Sequence, residues 1–167
     1  MSRARDLSDL SPDGSGNVLV GGGVFLGGTG SANLLDDYEE GTWTPAFNLV
    51  TVTHTAQYGR YVKIGRLVYC KARIEVSSID NTDGSGIQLS APFTANSGTA
   101  QGGGATAFAY DSQTSTLMDG SHADVHGAYV TGNTFAVTND TGGNMSYSQL
   151  TQTSGIFQFA FTFEATT

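Results

Sequence analysis

Cysteine, basic charge, long apolar runs and helical periodicity are all scarce in this chain, and each scarcity removes a class of protein. Cys70 is the only cysteine, so no intrachain disulfide can form and stability does not come from an oxidised framework. Burial as a small apolar residue is its expected state. Seven Lys and Arg against fifteen Asp and Glu leave a net charge of −8, which opposes a phosphate-tracking surface, because electrostatic binding of DNA needs cations that displace counterions. Nucleic acid is therefore not an expected partner. No run of about 18 apolar residues occurs, and the arginines of Met1 to Leu10 are not followed by an apolar segment with a cleavage site. Synthesis in a cytosol without membrane insertion is expected. Charged residues make up only 13%, a poor composition for intrinsic disorder. Apolar residues reach 38%, below the roughly 45–50% of ordinary domains. A lone chain would have a thin core, and pairing with copies of itself would enlarge it. An oligomer is expected.

What the chain does have is glycine, 23 of 167 residues, and short β-prone runs. A possible helical turn over Ser2 to Leu10 is closed by Pro12, and everything after it reads as strand and turn. Val18-Leu19-Val20 and Val24-Phe25-Leu26 flank Gly21-Gly22-Gly23. Three consecutive glycines suit a place where backbones approach closely, as where several chains wind about one axis. Residues 1–33 thus read as an extended glycine-rich arm or stalk, and residues 34–167 as a head. In the head, candidate strands are 47–56, 58–64, 67–77, 86–90, 105–110, 122–130, 134–138 and 155–165, separated by turn residues such as Gly65-Arg66 and Gly132-Asn133. In the last strand Phe157, Phe159, Phe161 and Phe163 take one face, and four phenylalanines at period two need a core. The expected fold class is all-β, an antiparallel sandwich or barrel with a thin N-terminal arm.

From Leu34 the residues run Leu-Leu-Asp36-Asp37-Tyr38-Glu39-Glu40-Gly41-Thr42-Trp43-Thr44-Pro45, and later Gln57-Tyr58-Gly59-Arg60-Tyr61-Val62-Lys63-Ile64-Gly65-Arg66-Leu67-Val68. In order and spacing the two blocks resemble the "DYEEGTWTP … GxYxKIGxxV" module of tailed-bacteriophage fibre proteins. Ala91-Pro92-Phe93-Thr94-Ala95 is similar to a further element of that module, and Gly155 to Phe159 to its closing strand. The resemblance implies a homotrimeric virion appendage with a jelly-roll-like β-sandwich head, no catalysis and no cofactor. It implies attachment to a capsid or tail protein through residues 1–33, with Val18, Leu19, Val20, Val24, Phe25 and Leu26 as the apolar contacts. Assembly in the host cytoplasm and display on the virion surface follow, with a host-surface glycan or protein as the outer partner. Thirty-three residues before the motif span at most about 3.3 Å each when extended, which suits a short knob. A passive head fibre that decorates and stabilises the capsid is the alternative to a tail fibre, and a glycan depolymerase is a distant third.

The motif also has a reading of its own. Tyr38, Trp43 and Tyr61 are amphipathic clamps beside turns, Pro45 belongs at a strand start or edge, and Asp36, Asp37, Glu39 and Glu40 are placed to face Arg60, Lys63 and Arg66 across strands or subunits. Five of the seven basic residues fall between Arg60 and Arg73 and read as one wet sheet face. Of the chemical patterns, His122, Asp124 and His126 would share a face of a strand, as ligands for a metal must. The preferred reading is a solvent-facing side with no metal, since the fibre-tip pattern is His-x-His and this spacing departs from it. The carboxylate pairs Asp36/Asp37 and Asp80/Asp83 offer an acid and a base in principle, but the second sits in a turn and the first in the shared module. Loops 94–104, 111–121 and 139–153, rich in Ser, Thr, Asn, Gln, Gly and Tyr, are the expected recognition surface.

Overall fold

A computed structural model of the chain describes residues 10–12, 14–20, 22–80, 82, 85–96, 104–109, 127–138, 143–144, 146–149 and 154–166. The protein is all-β and antiparallel. It divides into two compact units between Tyr38 and Glu39, inside the acidic motif, so that residues 34–38 group with the N-terminal unit.

The N-terminal unit holds β1 (Leu10–Pro12), β2 (Val18–Val20), β3 (Val24–Phe25) and β4 (Leu34–Leu35). β1 pairs with β2, and β3 with β4. Within this unit Gly23 marks a close approach of two backbone segments. Gly23 has φ +89°, and a Cβ there would lie 2.7 Å from the Leu35 carbonyl oxygen and from the Asp36 Cβ. Val18, Val20, Val24, Phe25 and Leu26 are all exposed.

Chain order continues with β5 (Tyr38–Trp43), β6 (Phe47–Asn48), β7 (Val52–Ile64), β8 (Leu67–Ile79), β9 (Gln88–Ser90), β10 (Gly104–Ala109), β11 (Gly127–Thr131), β12 (Thr134–Thr138) and β13 (Gly155–Glu164). These form one sheet in the order β5-β7-β8-β13-β10-β11-β12-β9-β6. The β7–β8 and β11–β12 hairpins turn on Gly65 (φ +57°) and Gly132 (φ +54°). In each, glycine holds the first loop position at positive φ and the second residue does not, as in a type II′ turn whose twist matches the strands. The expected break near Gln57 is absent. Strands 47–56 and 58–64 resolve instead into the short β6 and a 13-residue β7 bent by register shifts around His54, the local twist that a bulge introduces.

The sheet curls over its own core. Phe135 on β12 stacks on Phe161 of β13 with centroids 3.6 Å apart, although β10 and β11 lie between those strands in the sheet order. Phe47, on the terminal strand β6, meets Phe157 edge-on at 5.0 Å. Period-two alternation supplies the material: Phe157, Phe159, Phe161 and Phe163 are buried, as are Val68, Cys70, Ala72, Ile74 and Val76 on β8. Each large side chain so buried contributes about 1.5–3 kcal/mol. Burial pushes the Cys70 thiol up to about 12, which leaves it protonated and unreactive at neutral pH.

Candidate functional site

The two sequence blocks of the motif fold onto each other. β5 and β7 are neighbours in the sheet, and each sets an aromatic ring over a glycine of the other. A Cβ at Gly59 would lie 2.4 Å from Trp43 Nε1, and one at Gly41 would lie 2.7 Å from the Tyr61 hydroxyl oxygen. From Gly41 to Trp43 the chain advances while the facing positions retreat from Tyr61 to Gly59, the spacing of an antiparallel pair. Tyr61 donates its hydroxyl to Glu39 Oε1 at 2.5 Å and meets Phe93 edge-on at 4.9 Å. The hydrogen bond to Glu39 holds the Tyr61 phenol above its ordinary value, with desolvation and the carboxylate charge adding to it. Lys63 is buried with its ammonium 5.8 Å from the Phe93 ring centre, and Gln57 Nε2 donates to the carbonyl of buried Pro45 at 2.7 Å. Glu39, Gly41, Trp43, Pro45, Gly59, Tyr61, Lys63 and Phe93 therefore form a lock between strands.

Two expectations change here. Lys63 does not share the wet face of the other cations but lies on the inner side, because alternation along β7 turns it in with Tyr61. Arg66 pairs with Glu164 at 3.2 Å instead of with the acidic motif. Of the remaining motif residues, Asp36, Tyr38, Glu40, Thr42, Thr44 and Ile64 are exposed, Asp37 is half-buried, and Gly65 makes the turn.

The outer face of β7, β8 and β13 carries a second feature. An open hollow of about 580 Å³ lies there, lined by Tyr58, Arg60, Tyr69, Lys71, Arg73 and Gln158. Cross-strand register lines up Tyr58, Arg73 and Gln158 in one row across β7, β8 and β13, Arg60, Lys71 and Ala160 in the next, and Val62, Tyr69 and Thr162 in a third. Arg73 is tied to Glu75 and lies 6.0 Å from the Tyr58 ring centre. Arg60 and Lys71 have no ionic or hydrogen-bonding partner among the described residues. The clustering of cations between Arg60 and Arg73 was visible in the sequence; the hollow between the two tyrosines was not, because it depends on register.

His122, Asp124, His126 and the loop 111–121 lie outside the described residues. Among the described residues no group of three His, Cys, Asp or Glu side chains is placed to hold a metal. Asp80 accepts from the Thr82 hydroxyl at 2.6 Å and the Thr82 amide at 2.9 Å; these bonds hold its carboxyl below the ordinary value, in the manner of an Asx turn. Part of the expected recognition loop 139–153 belongs to the core. Tyr147 is fully buried and donates its hydroxyl to the Asn48 carbonyl at 2.6 Å.

One half-buried titratable group gives a pH dependence. His54 lies against Phe47 with ring centroids 6.4 Å apart, and its Nε2 is buried without a hydrogen-bond partner among the described residues. Burial lowers its pKa from the ordinary 6.5. The folded protein thus binds this proton less readily than the unfolded chain, so the stability it contributes is full above pH 6.5 and is lost as pH falls through the lowered value. The expected result is a urea midpoint that declines below pH 6.5 in the natural chain and declines less in His54→Gln. Parallel pH profiles of the two proteins would contradict it.

Comparisons with protein-family models, with curated proteins and with solved structures find no match.

Proposed function

We propose that this chain is a structural subunit of a tailed-phage virion fibre, displayed as a homotrimer on the particle surface and not an enzyme. In this reading the N-terminal segment joins it to a capsid or tail protein, and the curled sheet serves as a jelly-roll-like β-sandwich head that aids host adhesion. The observation that carries the reading is the lock between β5 and β7. The residues that resemble the fibre module are the ones whose rings, glycines and hydrogen bonds hold two strands together. A module built for strand pairing is what a structural appendage requires, whereas a catalytic motif would have converged on a cleft. The exposed Val18, Val20, Val24, Phe25 and Leu26 supply apolar surface for attachment.

The reading is tested by deleting residues 1–30 in the phage whose genome encodes the chain. Purified particles should then lack the protein while the truncated head remains soluble in the lysate. Normal incorporation of the truncated head would remove the N-terminal segment from the account.

A further inference from the structure

We infer that the outer face of β7, β8 and β13 is the surface on which a second copy of this chain docks, an inference that rests on the oligomeric reading above and gives it a location. The first observation is apolar. Tyr58, Ile64, Leu67 and Tyr69 are 60%, 47%, 52% and 50% exposed, and alternation puts all four on this one face. A sheet with one solvated face ordinarily carries polar residues there, and large apolar side chains gathered on a surface mark an interaction site.

The second observation is electrostatic. Arg60 and Lys71 stand directly opposite each other on adjacent strands, an arrangement that is unfavourable when the pair is left to itself. The other two cations near this face are already tied, Arg66 to Glu164 and Arg73 to Glu75. Arg60 and Lys71 have no such partner among the described residues, so the chain carries two adjacent positive charges that a carboxylate from outside would offset.

Both observations fit the same occupant. A second copy brings fifteen acidic residues against seven basic ones, which complements the cation pair, and it brings apolar surface to cover the tyrosines. An anionic polysaccharide could match Arg60 and Lys71 in the hollow, but Ile64 and Leu67 lie outside the hollow's lining and would stay wet. An interface that sets one patch against a different patch closes into a ring when its rotation permits. A trimer in which each cationic face meets a neighbour's acidic surface is such a ring.

The test is the molar mass of the full-length chain by light scattering, with circular dichroism to verify folding. The natural protein should have three times the 17.4 kDa subunit mass. Arg60→Glu/Lys71→Glu should raise the dissociation constant of the assembly by at least about 30-fold. Tyr58→Ser/Tyr69→Ser changes only exposed positions and should also shift the protein towards monomer, which keeps the inference testable should the charge reversal fail to fold. A trimeric natural chain whose folded variants stay trimeric would overturn this location while leaving the oligomer standing. A monomeric natural chain would overturn both. A monomer that binds polygalacturonate, and loses that binding with Arg60→Glu/Lys71→Glu, would assign the face to an anionic glycan.

Discussion

Phe161→Ala is expected to lower the unfolding free energy by about 3–5 kcal/mol, the usual cost of truncating a buried phenylalanine. Phe161 is 1% exposed, stacks on Phe135 at 3.6 Å and lies 5.9 Å from the Phe159 ring. Through Phe135 it joins β13 to β12 across the curl of the sheet, so the cavity would open where the two sides of the core meet. A single domain has only about 5–15 kcal/mol in total, and the variant should be marginal at room temperature. Thr162→Ala, at the exposed neighbouring position, should change stability by no more than about 0.5 kcal/mol. Urea unfolding of both proteins provides the measurement. Equal small losses would mean that the two faces of β13 are wrongly assigned.

Gly59→Ala is the second large effect, and its sign depends on one neighbour. The added methyl carbon would lie 2.4 Å from Trp43 Nε1 and 2.5 Å from Trp43 Cδ1, so the indole must move, at the cost of about 1–3 kcal/mol typical of overpacking. Without the indole the same change should be neutral or favourable, since alanine in place of a strand glycine reduces the freedom of the unfolded chain by about 0.4–1 kcal/mol. The double-mutant cycle with Trp43→Ala measures this directly. A coupling of at least about 1 kcal/mol is expected between these touching residues. The same cost for Gly59→Ala in both backgrounds would show that the ring and the glycine do not form a unit.

How much of this was legible in the sequence follows from the range over which each signal acts. The phenylalanines of β13 and the alternation of β8 are local, period-two patterns, and they place the core correctly. The turns at Gly65 and Gly132 are equally local, because positive φ at the first loop position is a property of one residue. Tyr147 is the opposite case. It sits among serines in a polar stretch, and its edge-on contact with Phe47 and its hydrogen bonds to Asn48 and Gln88, all distant in sequence, make it a core residue. The charge of Lys63 suggests solvent, like that of its basic neighbours, yet its place on β7 turns it inward over Phe93. The motif could be recognised as a pattern, but the pairing of Trp43 with Gly59 and of Gly41 with Tyr61 exists only once β5 lies against β7. The hollow between Tyr58 and Tyr69 is likewise a product of register, and no linear window contains it.

The central claim is that the chain is a trimeric structural subunit of a virion, and the most direct measurement is a cryo-electron microscopy reconstruction of the intact particle with this chain built into the density. The account predicts trimers projecting from the capsid lattice or from the tail, each head outermost. Purified particles in which the chain is absent, or present only as an isolated monomer, would contradict it.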